Sequence, residues 1–259
     1  SEECSVCNRV ALNDALQAGV VAPYMFNELG LTSIAIMHDN GDYGLGLAEL
    51  VQTAFTEAGG TVVAFEGIQV GDTDFRAALT KIAASEPQAV YFGGYATEGG
   101  LIATQMKEVG LEGAIFFSDD GVYGSAFLDA AGEAAEGAFV SFPIGDEAAD
   151  LNAAFDAAYE EMFGIAPDDQ GPFHAQAYDA VALLADAIGR AAVADDAGEG
   201  YLMIDRDALI SAIRATSGLQ GLSGVLTCNA VGDCGAGGIQ IFEVQGGEFV
   251  QVSGFGMEE

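Results

Sequence analysis

The sequence predicts an α/β protein in which helices cover both faces of a mostly parallel sheet. Short apolar segments of five or six residues alternate with longer segments of helical periodicity through the first half of the 259-residue chain. Their spacing fits strand–helix–strand crossovers, which join parallel strands. Polar and aromatic residues directly follow several of these segments, and the carboxyl ends of parallel strands are where open sheets bind ligands.

Five segments are predicted to be strands because they are short, apolar and rich in β-branched or aromatic residues. They are Ser33–His38, Thr61–Phe65, Ala89–Gly93, Ala114–Ser118 and Ala138–Phe142. Between them, apolar residues spaced three and four apart predict helices. The predicted helices are Tyr43–Ala58, Asp74–Ser85, Thr97–Val109 and Tyr123–Ala131.

The ends of these helices are also marked in the sequence. An earlier helical pattern, Asp14–Leu29, contains Pro23. We expect a kink or a break there, because an interior proline removes a backbone hydrogen bond. Oxygen atoms of Asp72-Thr73-Asp74 are expected to cap the helix that begins near Phe75. Gly59-Gly60 can supply the left-handed stop of the preceding helix.

The second half of the chain is predicted to be mainly helical. Ala148–Phe163, Phe173–Ala192 and Asp205–Thr216 have helical spacing, and the acidic stretch Ala194–Gly200 is expected to be an exposed loop. Predicted strands are limited to Gly224–Cys228 and to a hairpin of Gly238–Val244 and Glu248–Val252. The apolar faces of these helices need a sheet that the sequence does not obviously provide, so we expect aggregation or dimerisation unless something covers them.

Composition excludes several classes of partner. Asp plus Glu number 40 against 7 Lys plus Arg, for a formal net charge of −33, so neither nucleic acid nor an anionic membrane surface is an expected partner. No apolar run is long enough to span a bilayer, and Ser1-Glu2-Glu3 lacks the profile of a signal peptide. The acidic surface favours a salt-adapted protein, and the alternative is that it only keeps the protein in solution.

The four cysteines favour a disulfide over a metal site. Cys228 and Cys234 flank a short turn and are expected to form a local disulfide, which implies an oxidising compartment. Zinc is disfavoured because Cys228 and Cys234 are too widely spaced to match the short Cys4–Cys7 pair in a standard site. Cys4 and Cys7 bridge each other or pair outside this chain.

Enzymatic motifs are weak. Asn40–Gly46 resembles a dinucleotide-binding loop in position, but Glu49 stands where a third small residue is needed, so no cofactor is expected. His38 and His174 have no partnered nucleophile, and hydrolase, metalloprotease and phosphate-loop motifs are not found. A non-enzyme is therefore predicted, and a turnover assay is what would revive the enzyme alternative.

One group of residues is predicted to form a ligand crevice. Tyr43 follows the first predicted strand, Gly94 and Tyr95 follow the third, and Ser118, Asp119 and Asp120 end or follow the fourth. All three loops would meet at the carboxyl edge of the sheet. The alternative is that the tyrosines are packing residues and that the aspartates cap a helix.

The chain between Tyr24 and Gly110, with its segments TSIAIMHDNGDYGLGLAELV, GGTVVAFEGIQVGDTDF and PQAVYFGGYATEGG, resembles the branched-chain amino acid substrate-binding proteins of bacterial ABC transporters. These are type I periplasmic-binding proteins. Shorter segments around Asn8–Gly19, Ser118–Gly121, Phe173–Leu184 and Gly221–Gly224 extend the resemblance to nearly the whole chain.

The resemblance implies two α/β lobes that close on a ligand. Residues 14–142 with 235–259 would form a complete Rossmann-like lobe, and residues 1–13 with 143–234 would form part of the N-terminal lobe. The family's first hundred or so residues would be missing. Either the chain is a fragment or another chain supplies that part.

The resemblance also implies a function and a site. Tyr43 and Tyr95 would close over an amino acid, and Asp120 would receive its ammonium group, with Asp119 as the fallback. The expected function is an extracytoplasmic receptor, periplasmic or extracellular and lipid-anchored in the full-length protein, that delivers a small aliphatic amino acid to a membrane permease. The alternative is a ligand-sensing module of the same fold.

Overall fold

The computed structural model describes residues 6–144, 149–167, 171–195 and 200–256. The chain divides into two compact units. The first, the helical unit, comprises residues 1–12 and 144–238, together with the last three residues. The second, the sheet unit, comprises residues 13–143 and 239–256. Within the described residues, no helix is both long and apolar enough to cross a membrane.

The sheet unit contains a seven-stranded sheet. Its strands are β1 (Ser33–His38), β2 (Thr61–Gly67), β3 (Ala89–Gly93), β4 (Ile115–Ser118), β5 (Phe139–Ile144), β10 (Gly238–Gln245) and β11 (Glu248–Gly256). The strand order is β11-β10-β5-β4-β3-β1-β2. The five strands from β1 to β5 pair in parallel, as the crossover spacing predicts.

Helices precede β1 and connect the parallel strands of the sheet unit. They are α1 (Asp14–Pro23), α2 (Asp42–Glu57), α3 (Arg76–Ala83), α4 (Ala96–Met106) and α5 (Ser125–Ala131). Side chains of a strand alternate between the two faces of its sheet. Tyr91 of β3 accordingly packs in one core cluster with residues of α1 and α2, whereas Phe92 lies against Gly99 of α4. Helices thus cover both faces, and the predicted fold class is confirmed.

The helical unit is built from α6 (Ala149–Phe163), α7 (His174–Ala191) and α8 (Arg206–Arg214). It also has two short antiparallel ladders, β6 (Val193–Ala194) with β7 (Leu202–Met203) and β8 (Leu219–Gln220) with β9 (Val225–Leu226). Its small core joins Leu183 and Ala187 of α7 to Val10, Ile213 and Leu226. The buried Asp179 carboxylate accepts hydrogen bonds from the backbone N–H groups of Leu222 and Ser223, at 2.7 and 2.8 Å, and so ties α7 to the β8–β9 turn.

The structure contains the predicted Cys228–Cys234 disulfide, in the helical unit. Cys7 is also disulfide-bonded, and Cys4 lies outside the described residues. The loop predicted over Ala194–Gly200 lies partly outside them too, and its first residue is the end of β6. The bridge Arg9↔Asp233 and an Arg9–Asp233 ion pair of 2.6 Å fasten the N-terminal segment beside the disulfide.

Several element ends differ from the sequence predictions. After Pro23 the chain continues as a π-helical turn, Tyr24–Glu28, because the proline ends the α-helical hydrogen-bonding pattern without breaking the helical path. The helix predicted to begin at Asp74 begins at Arg76, with Phe75 as its N-cap. The Phe75 N–H, which has no acceptor within the helix, donates to Gln105 Oε1 at 2.6 Å. The strand predicted over Gly224–Cys228 is limited to β9.

Candidate functional site

The candidate site lies at the carboxyl edge of the sheet unit, where β1, β3 and β4 end side by side. In register, His38 at the end of β1 pairs with Gly93 at the end of β3, and Phe92 pairs with Ser118 at the end of β4. The loops after these strands carry Tyr43, Tyr95 and the Asp119–Asp120 pair. The parallel register therefore brings these side chains to one edge.

Tyr43 and Asp120 are joined directly. The Tyr43 hydroxyl donates a hydrogen bond of 2.8 Å to Asp120 Oδ1. The ring of Tyr95 lies beside that of Tyr43, with centroids 5.6 Å apart, and the Tyr95 side chain is 52% exposed. A partly buried carboxylate is thus flanked by two aromatic rings, one of which faces solvent.

Polar groups of α1 and β5 lie behind Asp120. The Gln17 side chain hydrogen-bonds Asp120, and its amide nitrogen donates to Ser141 Oγ at 3.0 Å. Ser141 Oγ in turn donates to the Ser118 carbonyl at 3.4 Å. Both Gln17 and Ser141 are buried, so this chain of hydrogen bonds fixes Asp120 from within the unit. The sequence indicated Gln17 only through the family resemblance, and it gave no signal for Ser141.

Asp119 supports the loops of the site. Its side chain is fully buried, and its two oxygens accept from the N–H groups of Gly94 and Gly121, at 3.1 and 3.0 Å. A Cβ atom on Gly121 would lie 2.3 Å from the Gly94 carbonyl oxygen, so only glycine permits this approach. Asp119 and Gly94 therefore hold the β3 and β4 loops together.

Ser118 has a similar supporting position. It is fully buried, and its hydroxyl donates to the Phe92 carbonyl at 2.6 Å. This bond joins the ends of β3 and β4 directly beneath the aspartates. The structure gives Ser118 and Asp119 hydrogen bonds to the backbone of Phe92 and Gly94. That Ser118, Asp119 and Gly94 also contact a ligand stays a prediction.

Asp39 is a site residue that the sequence reasoning missed. It is buried, its backbone N–H donates to the Gly93 carbonyl at 3.1 Å, and its Oδ1 accepts from the Gly41 N–H at 2.8 Å. A Cβ on Gly44 would lie 2.3 Å from this oxygen. The available signal was its place directly after β1, equivalent to the place of Asp119 after β4.

The electrostatics of the edge are strongly negative. Burial raises the pKa of Asp119 and of Asp120, and the neighbouring charge of Asp120 raises that of Asp119 further. Burial, followed by the two aspartates, also raises the pKa of Tyr43. No lysine or arginine of the described residues forms an ion pair with either aspartate. The site is therefore suited to a ligand that brings a positive charge.

The two histidines occupy ordinary polar positions. His38 packs against Phe65 with ring centroids 4.9 Å apart, and its Nδ1 accepts from the Asn40 N–H at 3.2 Å. Burial lowers the pKa of His38. His174 stacks on Phe155 in the helical unit. In the described ranges no group of three His, Cys, Asp or Glu side chains could hold a metal ion.

A sequence model described as periplasmic binding protein matches residues 7–248. The chain belongs to the periplasmic binding protein family. Within that family it is 36% identical over 182 residues to a leucine-, isoleucine-, valine-, threonine- and alanine-binding protein of Pseudomonas aeruginosa, covering 70% of this chain. It is 30% identical over 242 residues to Leu/Ile/Val-binding protein homolog 3 of Brucella melitensis, covering 93% of this chain.

Among solved structures, a leucine binding protein from Thermotoga maritima is similar, with a TM-score of 0.80 and 28% identity. The match covers 95% of this chain and 67% of that one. The chain spans 48% of the length of the Pseudomonas protein and 62% of the Brucella protein. These relatives are binding proteins, and the fold of this chain is that of the same family.

Proposed function

We propose that the chain is the substrate-binding component of an ABC transporter and that it binds a small aliphatic amino acid without converting it. The observation that carries this proposal is the Tyr43–Asp120 pair, a carboxylate held by a phenol at the carboxyl edge of the sheet and left without a cationic partner among the described residues. The names of the relatives support an amino acid as the ligand.

Asp120 is proposed to receive the ammonium group. A half-buried ammonium ion needs a carboxylate partner, because leaving either charge alone in a desolvated site is costly. Tyr43 and Tyr95 supply the rings that would flank an ammonium ion and its aliphatic side chain. The partner is proposed to be a membrane permease, and the location the periplasm or the cell exterior, with lipid anchoring left as the sequence-based expectation.

The test is isothermal calorimetry with leucine and two analogues. Isopentylamine keeps the ammonium group, and 4-methylpentanoate keeps only the carboxylate. We expect leucine to bind, isopentylamine to keep measurable affinity and 4-methylpentanoate to bind much more weakly. Asp120→Ala should weaken leucine binding at least about tenfold, since it removes a charge-assisted contact.

Asp129→Ala is the matched control, because Asp129 is an exposed aspartate on α5 of the same unit and it should leave the affinity unchanged. An unchanged dissociation constant in Asp120→Ala would refute the assignment of Asp120. Binding of 4-methylpentanoate as tight as that of leucine would refute the ammonium assignment altogether.

The exposed apolar side chains of α7 support a second part of the proposal. Tyr178, Val181 and Leu184 are between 42% and 68% exposed, and the groove beside α7 has a volume of about 640 Å³ lined by Phe155, Tyr159 and Phe163. The relatives are longer than this chain, and part of their length has no match in it. We propose that polypeptide equivalent to that unmatched part covers the exposed face of α7. The chain alone should self-associate in size-exclusion chromatography, and a monomer at all concentrations would contradict this.

A further inference from the structure

Tyr91 has a buried hydroxyl group that takes no part in the hydrogen bonds of the candidate site. It lies in the middle of β3, is fully buried, and belongs to the core cluster of α1 and α2. Its hydroxyl has no hydrogen-bond partner among the described residues. A buried hydroxyl without a partner destabilises a fold, so such groups are rare unless they serve a purpose.

Tyr91 lies on β3, the strand that leads directly to Gly94 and Tyr95 of the candidate site. In register it pairs with Phe117, which is two residues before Asp119, and with Ile36, which is three residues before Asp39. Its ring packs against that of Phe117, with centroids 6.2 Å apart. The charges of Asp119, Asp120 and Asp14 act on its hydroxyl, and after burial they raise the pKa of Tyr91. The hydroxyl therefore lies in the field of the carboxylates.

Tyr24 shows what a tyrosine with only a packing role looks like here. It belongs to the same core cluster and packs against the same Phe117 ring, with centroids 6.4 Å apart. The charges that act on its hydroxyl are those of Glu243 and Glu28, which are not part of the site. The two tyrosines pack against the same ring and differ in which charges they face.

We propose that Tyr91 is a positioning residue of the ligand site, whose hydroxyl turns its hydrogen toward the Asp119–Asp120 pair and keeps Asp120 ionised for an ammonium ion. This inference rests on the proposed function. A phenol without an acceptor is free to turn its O–H dipole, and in a low-dielectric interior such a dipole stabilises a nearby anion strongly.

The other groups around Asp120 leave a role for this dipole. Asp119 on the same loop is acidic, and the charges of the two aspartates oppose each other. Asp14 on α1 and Asp39 after β1 are also acidic, and their charges act on Tyr91 and on Tyr95 respectively. Tyr43 on α2, Tyr95 before α4 and Gln17 on α1 are neutral, and of these Tyr43 and Gln17 hydrogen-bond Asp120. No cation of the described residues pairs with it. Neutral donors and dipoles must therefore stabilise the anion.

The experiment compares Tyr91→Phe with Tyr24→Phe in the whole chain. Carboxyl carbon NMR follows the titration of Asp120 without any ligand, and calorimetry gives the leucine dissociation constant at pH 7. In Tyr91→Phe we expect the titration midpoint of Asp120 to rise by at least about 0.5 pH unit and leucine binding to weaken about three- to tenfold. Its melting temperature should stay equal or rise, because an unpaired buried hydroxyl is removed.

Tyr24→Phe should change neither the midpoint nor the affinity. An unchanged Asp120 midpoint in Tyr91→Phe would overturn the inference even if the wild-type chain binds leucine, and so would a shifted midpoint with unchanged affinity. A wild-type chain that binds no amino acid would refute the proposed function, and the ligand-free titration would still decide whether Tyr91 acts on Asp120.

Discussion

The sheet unit and the helical unit bury their apolar residues very differently. In the sheet unit, β1 and β3 are buried almost throughout, and the largest fully buried side chains, such as Phe55, Tyr91 and Phe117, belong to it. In the helical unit, side chains as large as Met162 and Phe163 of α6 are 75% and 58% exposed. A sheet covers helix faces over a large area, and two-residue ladders cannot do so.

The comparison explains where the polar chemistry lies. Buried aspartates are stabilised at the edge of the sheet unit, because the loops after parallel strands direct backbone N–H groups toward Asp119 and Asp39. The helical unit uses its buried Asp179 to hold a turn against α7. In both units buried aspartates thus fasten backbone N–H groups, and in the sheet unit they do so at the candidate site.

The largest expected effect comes from removing a core ring of the sheet unit. Phe55 on α2 is fully buried and packs edge-on against Phe26, with centroids 6.2 Å apart. Phe55→Ala should lower the free energy of unfolding by about 4 kcal/mol, because it leaves a cavity in a close-packed core. Urea denaturation monitored by hydrogen exchange of β1 and β2 measures the loss.

Val181→Ala is the counterpart in the helical unit. Val181 is 68% exposed, so its truncation should change stability by no more than about 0.5 kcal/mol. If the two substitutions had similar effects, the contrast between a covered and an uncovered core would be wrong.

Sequence periodicity was sufficient to predict the parallel strands of the sheet unit, because each buried strand is an apolar segment of its own. The bounds of β1 and β3 were predicted to the residue, and the other parallel strands were predicted to within two residues. The start of α3 was predicted two residues too early, and the Phe75 N–H at its N-cap donates to the Gln105 side chain, a contact that no local pattern indicates. The same limit applies to the short ladders of the helical unit, whose pairing depends on turns and not on apolar runs.

The candidate site was predicted in part for the same reason. Strand ends placed Tyr43, Tyr95 and Asp120 at one edge from sequence alone. Asp39 was missed although it directly follows β1, and Ser141 was missed because its importance lies in a contact with Gln17, which is distant in sequence. Such contacts leave no local pattern in the sequence.

An intermediate effect is expected from the disulfide of the helical unit. Cys228 and Cys234 are six residues apart, and Cys234 is fully buried in the small core. Replacing both by alanine should destabilise this unit by about 2 kcal/mol, because the unfolded chain is no longer closed into a short loop. Urea denaturation followed by hydrogen exchange of α7 and α8 is the measurement, with reductant added to the wild type as a control. Equal stability with and without the disulfide would show that the core alone holds the unit.

A smaller effect than that of the disulfide is expected at the candidate site. Burial raises the pKa of Asp120 above its ordinary value of 3.8, so between that value and the raised one the folded state binds more protons than the unfolded state. The free energy of unfolding therefore falls as pH rises through this window.

Asp120→Asn removes this titration and keeps an oxygen for the Tyr43 hydroxyl, so the variant should be more stable than the wild type at pH 7. We expect a gain in melting temperature of roughly 2–4 °C at pH 7 that disappears below about pH 4, measured by calorimetry. A variant that melts at or below the wild-type temperature at pH 7 would mean that Tyr43, Gln17 and the Tyr91 dipole already offset the desolvation of the carboxylate. A gain accompanied by lost leucine binding would show that the sheet unit keeps a destabilising charge at its edge because the ligand requires it.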